Sequence, residues 1–183
     1  MIKRLLLTLA LLWPALAGAE EYLSQDDFLA QAFGAGVPKI STLWLKPEDK
    51  AVAEGIFGHP YQGMRVRYWL AGATTAWVLE EIGKERPIRI GVVVDGAHIR
   101  QVSILAFEES RGWEVRYPFF TAQFAGAAAT ADQRLDKSVD GITGATLSVR
   151  AVTGVARFAL YLNQRVNPLS ERTTTAQSDA SRP

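Results

Sequence analysis

"IRIGVVVDGAHIRQVSILAFEE", residues 88–109, is the stretch that says most about the fold. Two runs rich in β-branched residues flank Asp95-Gly96, a pair that readily accepts positive φ in a two-residue turn. The stretch therefore predicts a β-hairpin. The apolar residues of its second arm alternate imperfectly: Ile99, Val102, Ile104 and Phe107.

A second hairpin is predicted immediately upstream. MRVRYWLAG (64–72) and TTAWVLEEIG (74–83) are β-branched and aromatic runs that meet at Gly72-Ala73. Such runs separated by a short glycine-containing turn are typical of paired strands. Trp69 and Trp77 are expected to lie in the core of this hairpin.

Helices are predicted on both sides of the strands. SQDDFLAQAFG (24–34) starts with a capping serine and acidic residues, and KPEDKAVAEGIFGH (46–59) has proline at its first helical position. FFTAQFAGAAA (119–129) indicates another helix. From residue 147 onward, apolar residues recur at helical spacing and predict one buried face: Val149, Val152, Val155, Ala156, Ala159, Leu160 and Leu162. Gly154 within this helix is expected to mark close packing against the sheet.

Together these elements predict an α+β fold, a twisted antiparallel sheet with helices packed largely on one side. WEVRYPFF (113–120) is expected to add a strand that ends before Pro118. We divide the chain into a signal peptide (1–19), N-terminal helices and a hairpin (20–84), a second folded segment (85–168) and a polar tail (169–183). The tail is aperiodic and expected to be disordered.

The first 19 residues have the three-part plan of a secretory signal peptide. Lys3 and Arg4 precede an apolar run at 5–13 that is too short to span a bilayer, and residues 17–19 supply a small-x-small cleavage site. There is no twin arginine and no lipobox cysteine. We therefore expect export by the Sec route and a soluble periplasmic product; an uncleaved N-terminal anchor is the alternative.

The composition excludes several classes of function. The chain has 20 basic and 19 acidic residues, a net charge of +1. Removal of the leader leaves 20 − 2 = 18 basic against 19 acidic, a net −1, so nothing supports nucleic-acid binding. The absence of cysteine excludes disulfides, thiolate metal sites, iron–sulfur clusters and thioether-linked haem. His59 and His98, the two histidines, are far apart and are expected to be surface or hydrogen-bonding residues, not metal ligands.

VDGITGATLSVRAV (139–152) combines a glycine-containing turn with hydroxyl side chains directly ahead of the long helix. Its glycines permit a tight turn and the close approach of a bulky group. The free N–H groups and dipole of a helix start favour an anion, most often phosphate. The pattern is neither a Walker loop nor a nucleophile elbow. It places a threonine hydroxyl, that of Thr146, at this helix start; the alternative is that Thr146 only caps the helix.

DGITGATLS (140–148) resembles the flavinylation motif of the FMN-binding domain family, Asp-x-x-Ser/Thr-Gly-Ala-Thr-x-Ser/Thr, with every defined position filled. That domain occurs in the C subunit of sodium-pumping NADH:quinone reductases, in the G subunit of Rnf complexes and in related exported electron-transfer proteins. IGVVVDGAHIRQVSILAFEESRG (90–112) is similar to the family's two strands and Glu-Thr-Pro-Gly loop, with Arg111 replacing the proline. FFTAQFAG (119–126) is similar to its aromatic–Gln–Phe–x–Gly segment. The resemblance covers roughly residues 85–165.

The resemblance implies that segment 85–168 is an FMN-binding domain. It also implies that a flavin transferase moves FMN from FAD onto Thr146 through a phosphoester bond. The other residues that we assign to the cofactor site are Asp140, Thr143, Gly144, Ala145, Ser148, Glu109 and Trp113. An Asx-turn is the alternative role for Asp140, and helix capping is the alternative for Thr143 and Ser148. Of the aromatic residues that are candidates to stack on the flavin, the phenylalanines are expected to be core instead: Phe119, Phe120 and Phe124.

The function that these patterns favour is an exported flavoprotein that passes electrons to or from a membrane or periplasmic redox partner, such as an integral membrane haem or flavin protein. No general acid–base constellation is visible in the sequence, which favours electron transfer over substrate conversion. The alternative is a flavin-dependent reductase of a small periplasmic acceptor, whose pocket would use residues 20–84 together with Arg65, Arg67 and Arg111. The third interpretation is a binding module that has this fold but carries out no redox chemistry.

Overall fold

The computed structural model describes residues 20–167, so the predicted signal peptide and tail lie outside it. A six-stranded antiparallel sheet runs in the spatial order β1-β6-β5-β4-β3-β2. Its strands are β1 Glu20–Glu21, β2 Ile40–Trp44, β3 Arg65–Ala71, β4 Thr74–Ile82, β5 Pro87–Asp95 and β6 His98–Phe107. The predicted α+β fold is confirmed.

Four α-helices accompany the sheet: α1 Gln25–Phe33, α2 Pro47–Phe57, α3 Pro118–Thr121 and α4 Thr146–Val166. The sequence signals for α1 and α2 are confirmed, because Ser24 Oγ accepts from the Asp27 N–H at 3.1 Å and Gly58 ends α2 in the left-handed region. Two 3₁₀ turns, Trp113–Arg116 and Ala122–Phe124, flank α3. Between residues 20 and 167, no helix is both long and apolar enough to cross a membrane.

Both predicted hairpins are confirmed. β3 pairs with β4 and β5 pairs with β6, with positive-φ glycines Gly72 and Gly96 in the turns. The register of β5 against β6 shifts near Arg89 and again near Val93. These shifts account for the imperfect alternation along β6, since each irregularity moves the following side chains relative to the partner strand.

Both faces of the sheet are covered, although unequally. The larger core lies between the sheet and α4, which packs on β4, β5 and β6, with α2 packed against α4. A smaller core lies on the opposite face, where Phe28 and Leu29 of α1 meet Trp69 and Val93. Trp69 and Trp77 are both buried, as expected. Because β4 pairs with β5 along its whole length, residues 20–82 and the hairpin 87–107 share one sheet.

Gly154 was expected to mark close packing of α4 against the sheet, and this prediction was wrong. A Cβ at this position would lie 2.9 Å from the ring of Phe57, so the close approach is between α4 and α2 and not between α4 and the sheet. Phe57 and Phe158 meet edge to face at 5.6 Å beside this contact. The missing side chain at Gly154 thus allows a helix pair to pack around aromatic rings.

The strand predicted at 113–120 is also wrong. Gly112 turns the chain at φ 87°, a 3₁₀ turn follows, and Pro118 starts α3 instead of ending a strand. The outer edge of β6 is already hydrogen-bonded by β1 and by Ala127, which leaves little edge for a further strand. The helix predicted at 119–129 is reduced to α3 and the second 3₁₀ turn.

Buried polar groups join the carboxyl-terminal end of α4 to both hairpin turns. Asn163 accepts from the Thr75 hydroxyl at 2.7 Å and donates to the Gly96 carbonyl at 2.8 Å. Asn167 donates to the Ala73 carbonyl at 2.8 Å, and Trp77 donates to Thr75 at 2.9 Å. Paired buried groups of this kind fix the position of the helix on the sheet.

Asn163→Ala is expected to lower the free energy of unfolding by about 2–3 kcal/mol, because it leaves the buried Thr75 hydroxyl and the partly buried Gly96 carbonyl without their partner. Urea unfolding monitored by circular dichroism measures the change. Gln164→Ala, one residue along and exposed, is the matched control and should stay within about 0.5 kcal/mol of wild type. Equal stabilities of the two variants would contradict the role given to Asn163.

Candidate functional site

Helix α4 begins without a side-chain cap. Thr146 is its first residue and Ala145 occupies the N-cap position, so the Thr146 hydroxyl does not cap the helix. Within the part of the chain that the structure describes, the N–H groups of Thr146, Leu147 and Ser148 donate no hydrogen bond; the first bonded amide is that of Val149, to Ala145. Three free N–H groups and the positive end of the helix dipole form an anion site.

A groove of about 560 Å³ opens at this helix start. It is bounded by the β4–β5 turn, the loop after β6 and the first turn of α4. The lining residues are Lys84, Glu85, Glu109, Ser110, Arg111, Gly144, Ala145, Thr146, Leu147 and Ser148. The structure thus brings five of the predicted site residues together: Glu109, Gly144, Ala145, Thr146 and Ser148. Lys84 and Arg111 add positive charge beside them.

The Glu109 carboxylate organises the β4–β5 turn. One of its oxygens accepts from the backbone N–H groups of Lys84, Glu85 at 2.6 Å and Arg86 at 3.0 Å. Burial acts to raise the pKa of Glu109, but these hydrogen bonds and the nearby Lys84 ammonium outweigh it and the pKa is lowered. Glu109 therefore holds one wall of the groove in place through the turn.

Glu109→Gln is expected to destabilise the protein at pH 7 and to have less effect in acid. A lowered pKa in the folded chain means that the ionised carboxylate contributes stability above its ordinary value of 4.5. That contribution is lost as the pH falls through the lowered pKa. Urea unfolding of both proteins at pH 7 and near pH 3 measures the change. A difference between them that is independent of pH would count against this role.

The loop after β6 packs directly on the start of α4. Gly112 has φ 87°, and a Cβ there would lie 2.3 Å from the Ser148 Oγ, so only glycine fits. Ser148 is 4% exposed. The hydroxyl of Ser148 thus lies between the two segments that the sequence assigned to the cofactor, and the absence of a side chain at Gly112 allows them to pack closely.

Three predicted site residues lie away from the lining of the groove. Asp140 and Thr143 are exposed in the preceding turn, where the Asp140 N–H donates to the Gln123 Oε1 at 2.7 Å. This bond joins residues 140–148 to the 119–126 segment. Trp113 is 39% exposed and packs edge to face on Tyr117 at 5.6 Å. Phe120 and Phe124 are buried core residues, as expected, whereas Phe119 is exposed.

The three arginines that the alternative function, a flavin-dependent reductase, would use are separated in space. Arg111 lines the groove, but Arg65 and Arg67 lie on β3 and line a different depression with Glu80 and Arg89. Lys84 and Glu85 were not predicted as site residues, because their place in the groove depends on the fold of the β4–β5 turn. Among residues 20–167, no group of three or more histidine, aspartate or glutamate side chains lies together as a metal site. His59 instead hydrogen-bonds Glu81 at 2.8 Å.

Comparison with known proteins agrees with this geometry. Residues 83–161 match the model of a family described as the FMN-binding domain. No curated protein matches the chain. The matched range starts at the β4–β5 turn and runs through most of α4, so it contains every residue that lines the groove. An exposed hydroxyl, free helix N–H groups and the Arg111 guanidinium fit the phosphate end of FMN, whereas Lys84 is ion-paired with Glu85 at 3.1 Å.

Proposed function

We propose that the chain is a flavoprotein, because residues 83–161 match the FMN-binding domain family, and that its FMN is bound covalently to Thr146. The observation that carries this proposal is the position of Thr146. Its side chain is exposed at an uncapped helix start, lines the groove, and makes no hydrogen bond within residues 20–167. A hydroxyl that serves no structural purpose there is free to be modified.

The attachment of FMN to Thr146 is a phosphoryl transfer. With a flavin transferase, the Thr146 Oγ1 replaces AMP on the FMN phosphate of FAD: the Oγ1–P bond forms, the bond to AMP breaks, and the hydroxyl proton is lost. The phosphate oxygens that keep their charge then face the free N–H groups of α4. Arg111, which lines the groove, adds attraction for this charge.

Asp140 is assigned to recognition by the transferase. Its carboxylate is exposed and accepts no hydrogen bond within the described residues, while its N–H is fixed by Gln123. The Asp140 carboxylate is therefore exposed to solvent, six residues ahead of the acceptor threonine. A role in the loop itself would instead require the carboxylate to bond the turn.

Bound FMN supplies one- and two-electron redox chemistry, while the protein supplies attachment and the electrostatic environment. We propose that the protein transfers electrons to or from a membrane or periplasmic partner. Two pairings in the groove support this over reduction of a small molecule. Glu109 is engaged in the β4–β5 turn and Glu85 pairs with Lys84 at 3.1 Å, so both carboxylates that line the groove already have partners and are not placed to give a substrate a proton. The leader pattern supports a periplasmic location, and sequencing of exported protein should then begin at Glu20.

The proposal is tested by co-expression with a flavin transferase and export. The purified protein should be yellow and remain so after denaturation in guanidinium, and its intact mass should exceed that of the polypeptide by FMN less one water. Peptide mapping should place the added mass on the peptide that contains Thr146. A protein that releases all its colour on denaturation would contradict covalent attachment.

A further inference from the structure

The antiparallel sheet opens between two of its inner strands. The pairing of β3 with β4 ends at Tyr68 and Trp77, although β3 begins at Arg65 and β4 continues to Ile82. Over this unpaired part, β3 keeps its pairing with β2 and β4 keeps its pairing with β5. The two strands therefore diverge and leave a cavity of about 670 Å³, the β3–β4 cleft.

The β3–β4 cleft is lined by residues 65–67 of β3 and 78–80 of β4, together with Gln25, Tyr61 and Arg89. None of these residues lines the groove at the start of α4, so the two sites are separate. The volume of the cleft lies within the range of small-molecule sites.

The exposed side chains of the cleft are chiefly basic. Arg65 and Arg67 are two residues apart and lie on the same face of β3. The Arg89 Nε donates to the Glu80 carboxylate at 2.9 Å, so this carboxylate already has a partner. Arg65 and Arg67 form no ion pair and donate no side-chain hydrogen bond within residues 20–167. Three arginines against one carboxylate leave the cleft with a net charge of 3 − 1 = +2.

Arg65 is held in place by an aromatic ring. Trp44 of β2 is directly opposite Arg65 in the strand register, and the guanidinium carbon lies 5.7 Å from the centre of the Trp44 ring. This cation–π contact orients the guanidinium without neutralising its charge. Less conformational freedom is therefore lost when an anion binds.

The inner end of the cleft combines apolar side chains with one hydroxyl. Val66 and Leu79 are 4% and 5% exposed. The Tyr61 ring packs on Phe57 at 5.9 Å and on Phe158 at 5.2 Å, and its hydroxyl makes no hydrogen bond in the part of the chain that the structure describes. Burial raises the pKa of Tyr61, so the hydroxyl keeps its proton at neutral pH and is available as a hydrogen-bond donor.

We propose that the β3–β4 cleft binds a small dianion whose acidic groups are carboxylates or phosphate. Arg65 and Arg67 pair with these groups, because the planar guanidinium matches the oxygens of a carboxylate or a phosphate. The Tyr61 hydroxyl donates to the same ligand, and two negative charges balance the net charge of the cleft. This site goes beyond the proposed function and does not depend on it, since no lining residue is shared with the groove.

Isothermal titration calorimetry of the purified protein near pH 8 tests the site with succinate and with inorganic phosphate. At least one of these dianions should bind with one-to-one stoichiometry and raise the temperature of thermal unfolding. Acetate, the monoanion control, should bind about tenfold more weakly or less, because it engages fewer of the donors. The dianion that binds more tightly identifies the acidic group that the cleft prefers, and binding of neither would overturn the proposal.

Two variants show whether the dianion lies in the cleft. Arg67→Gln removes an unpaired guanidinium and should weaken binding about tenfold or more. Arg86→Gln is the matched control: it removes the same charge from an exposed position outside the cleft, and screening should keep its effect below about twofold. Tyr61→Phe keeps the ring and its packing, so the protein should fold and bind the dianion several-fold more weakly.

Equal losses of affinity in Arg67→Gln and Arg86→Gln would show only a general attraction between charges and would refute the site, as would full affinity in Tyr61→Phe. Thr146→Ala protein should bind the dianion as tightly as wild type. Failure of flavin attachment at Thr146 therefore leaves the result for the cleft unaffected, and the two proposals are tested separately.

Discussion

Thr146→Ala protein, co-expressed with a flavin transferase and exported, is expected to be colourless after denaturation and to have the mass of the polypeptide alone. The loss should be complete, because the substitution removes the one oxygen to which the phosphate is attached. Intact-mass spectrometry and the visible spectrum in guanidinium measure it.

The apoprotein should nevertheless fold. Thr146 makes no capping hydrogen bond and is exposed, so the change in the free energy of unfolding should be within about 0.5 kcal/mol of wild type. This is smaller than the ~0.5–2 kcal/mol that a lost helix cap costs. Thr143→Ala is the matched control, since it removes an exposed hydroxyl three residues earlier and should keep the adduct. An adduct that survives in Thr146→Ala would show that another residue is the acceptor.

A chain that begins at Lys84 is expected to be insoluble or unfolded. It retains the whole 140–148 motif and almost all of the matched range, yet it lacks strands β1 to β4 and both helices α1 and α2. Hairpin β5–β6 would lose its neighbour β4, and a two-stranded hairpin is marginal alone. Fully buried side chains would become exposed on its surface, among them Ile88, Ile90 and Val92.

Solubility, circular dichroism and thermal unfolding measure this outcome. The control is a chain that begins at Glu20, which keeps every strand and helix of the described structure and should fold. If the shorter chain were soluble, cooperative in unfolding and flavinylated with an unchanged potential, the contribution of residues 20–83 would be refuted.

Local signals in the sequence were sufficient to predict the hairpins and the longer helices. Asp95-Gly96 and Gly72 mark turns whose geometry few other residues accept, and Ser24 and Pro47 mark helix starts. Strand β2 was not predicted, because its five residues lack turn signals and are held by pairing with β3. The strand wrongly predicted at 113–120 also shows that pairing with a neighbour decides whether a segment forms a strand. Its residues are suited to a strand, but the neighbouring edge of β6 is already bonded by β1 and Ala127.

The candidate site was predictable to the extent that it is contiguous in sequence. Residues 144–148 line the groove together because they form one turn of chain. The contact of Glu109 with the amides of residues 84–86 spans more than twenty residues and depends on how the ends of β4, β5 and β6 meet. The aromatic Trp113 was placed by residue type alone, and type does not determine which side of a turn a ring occupies.

Buried hydrogen bonds fix the carboxyl-terminal end of helix α4, while the N–H groups of its first turn are free within residues 20–167, and this asymmetry bears on the rate of electron transfer. Asn163 and Asn167 hold its last turns to the two hairpin turns, so the first turn, with Thr146, extends from a rigid support. A redox centre on such a support meets dipoles that are already oriented when its charge changes, and little of the surrounding structure has to move. We therefore expect a small reorganisation energy for a flavin carried there, limited mainly by solvent at the mouth of the groove.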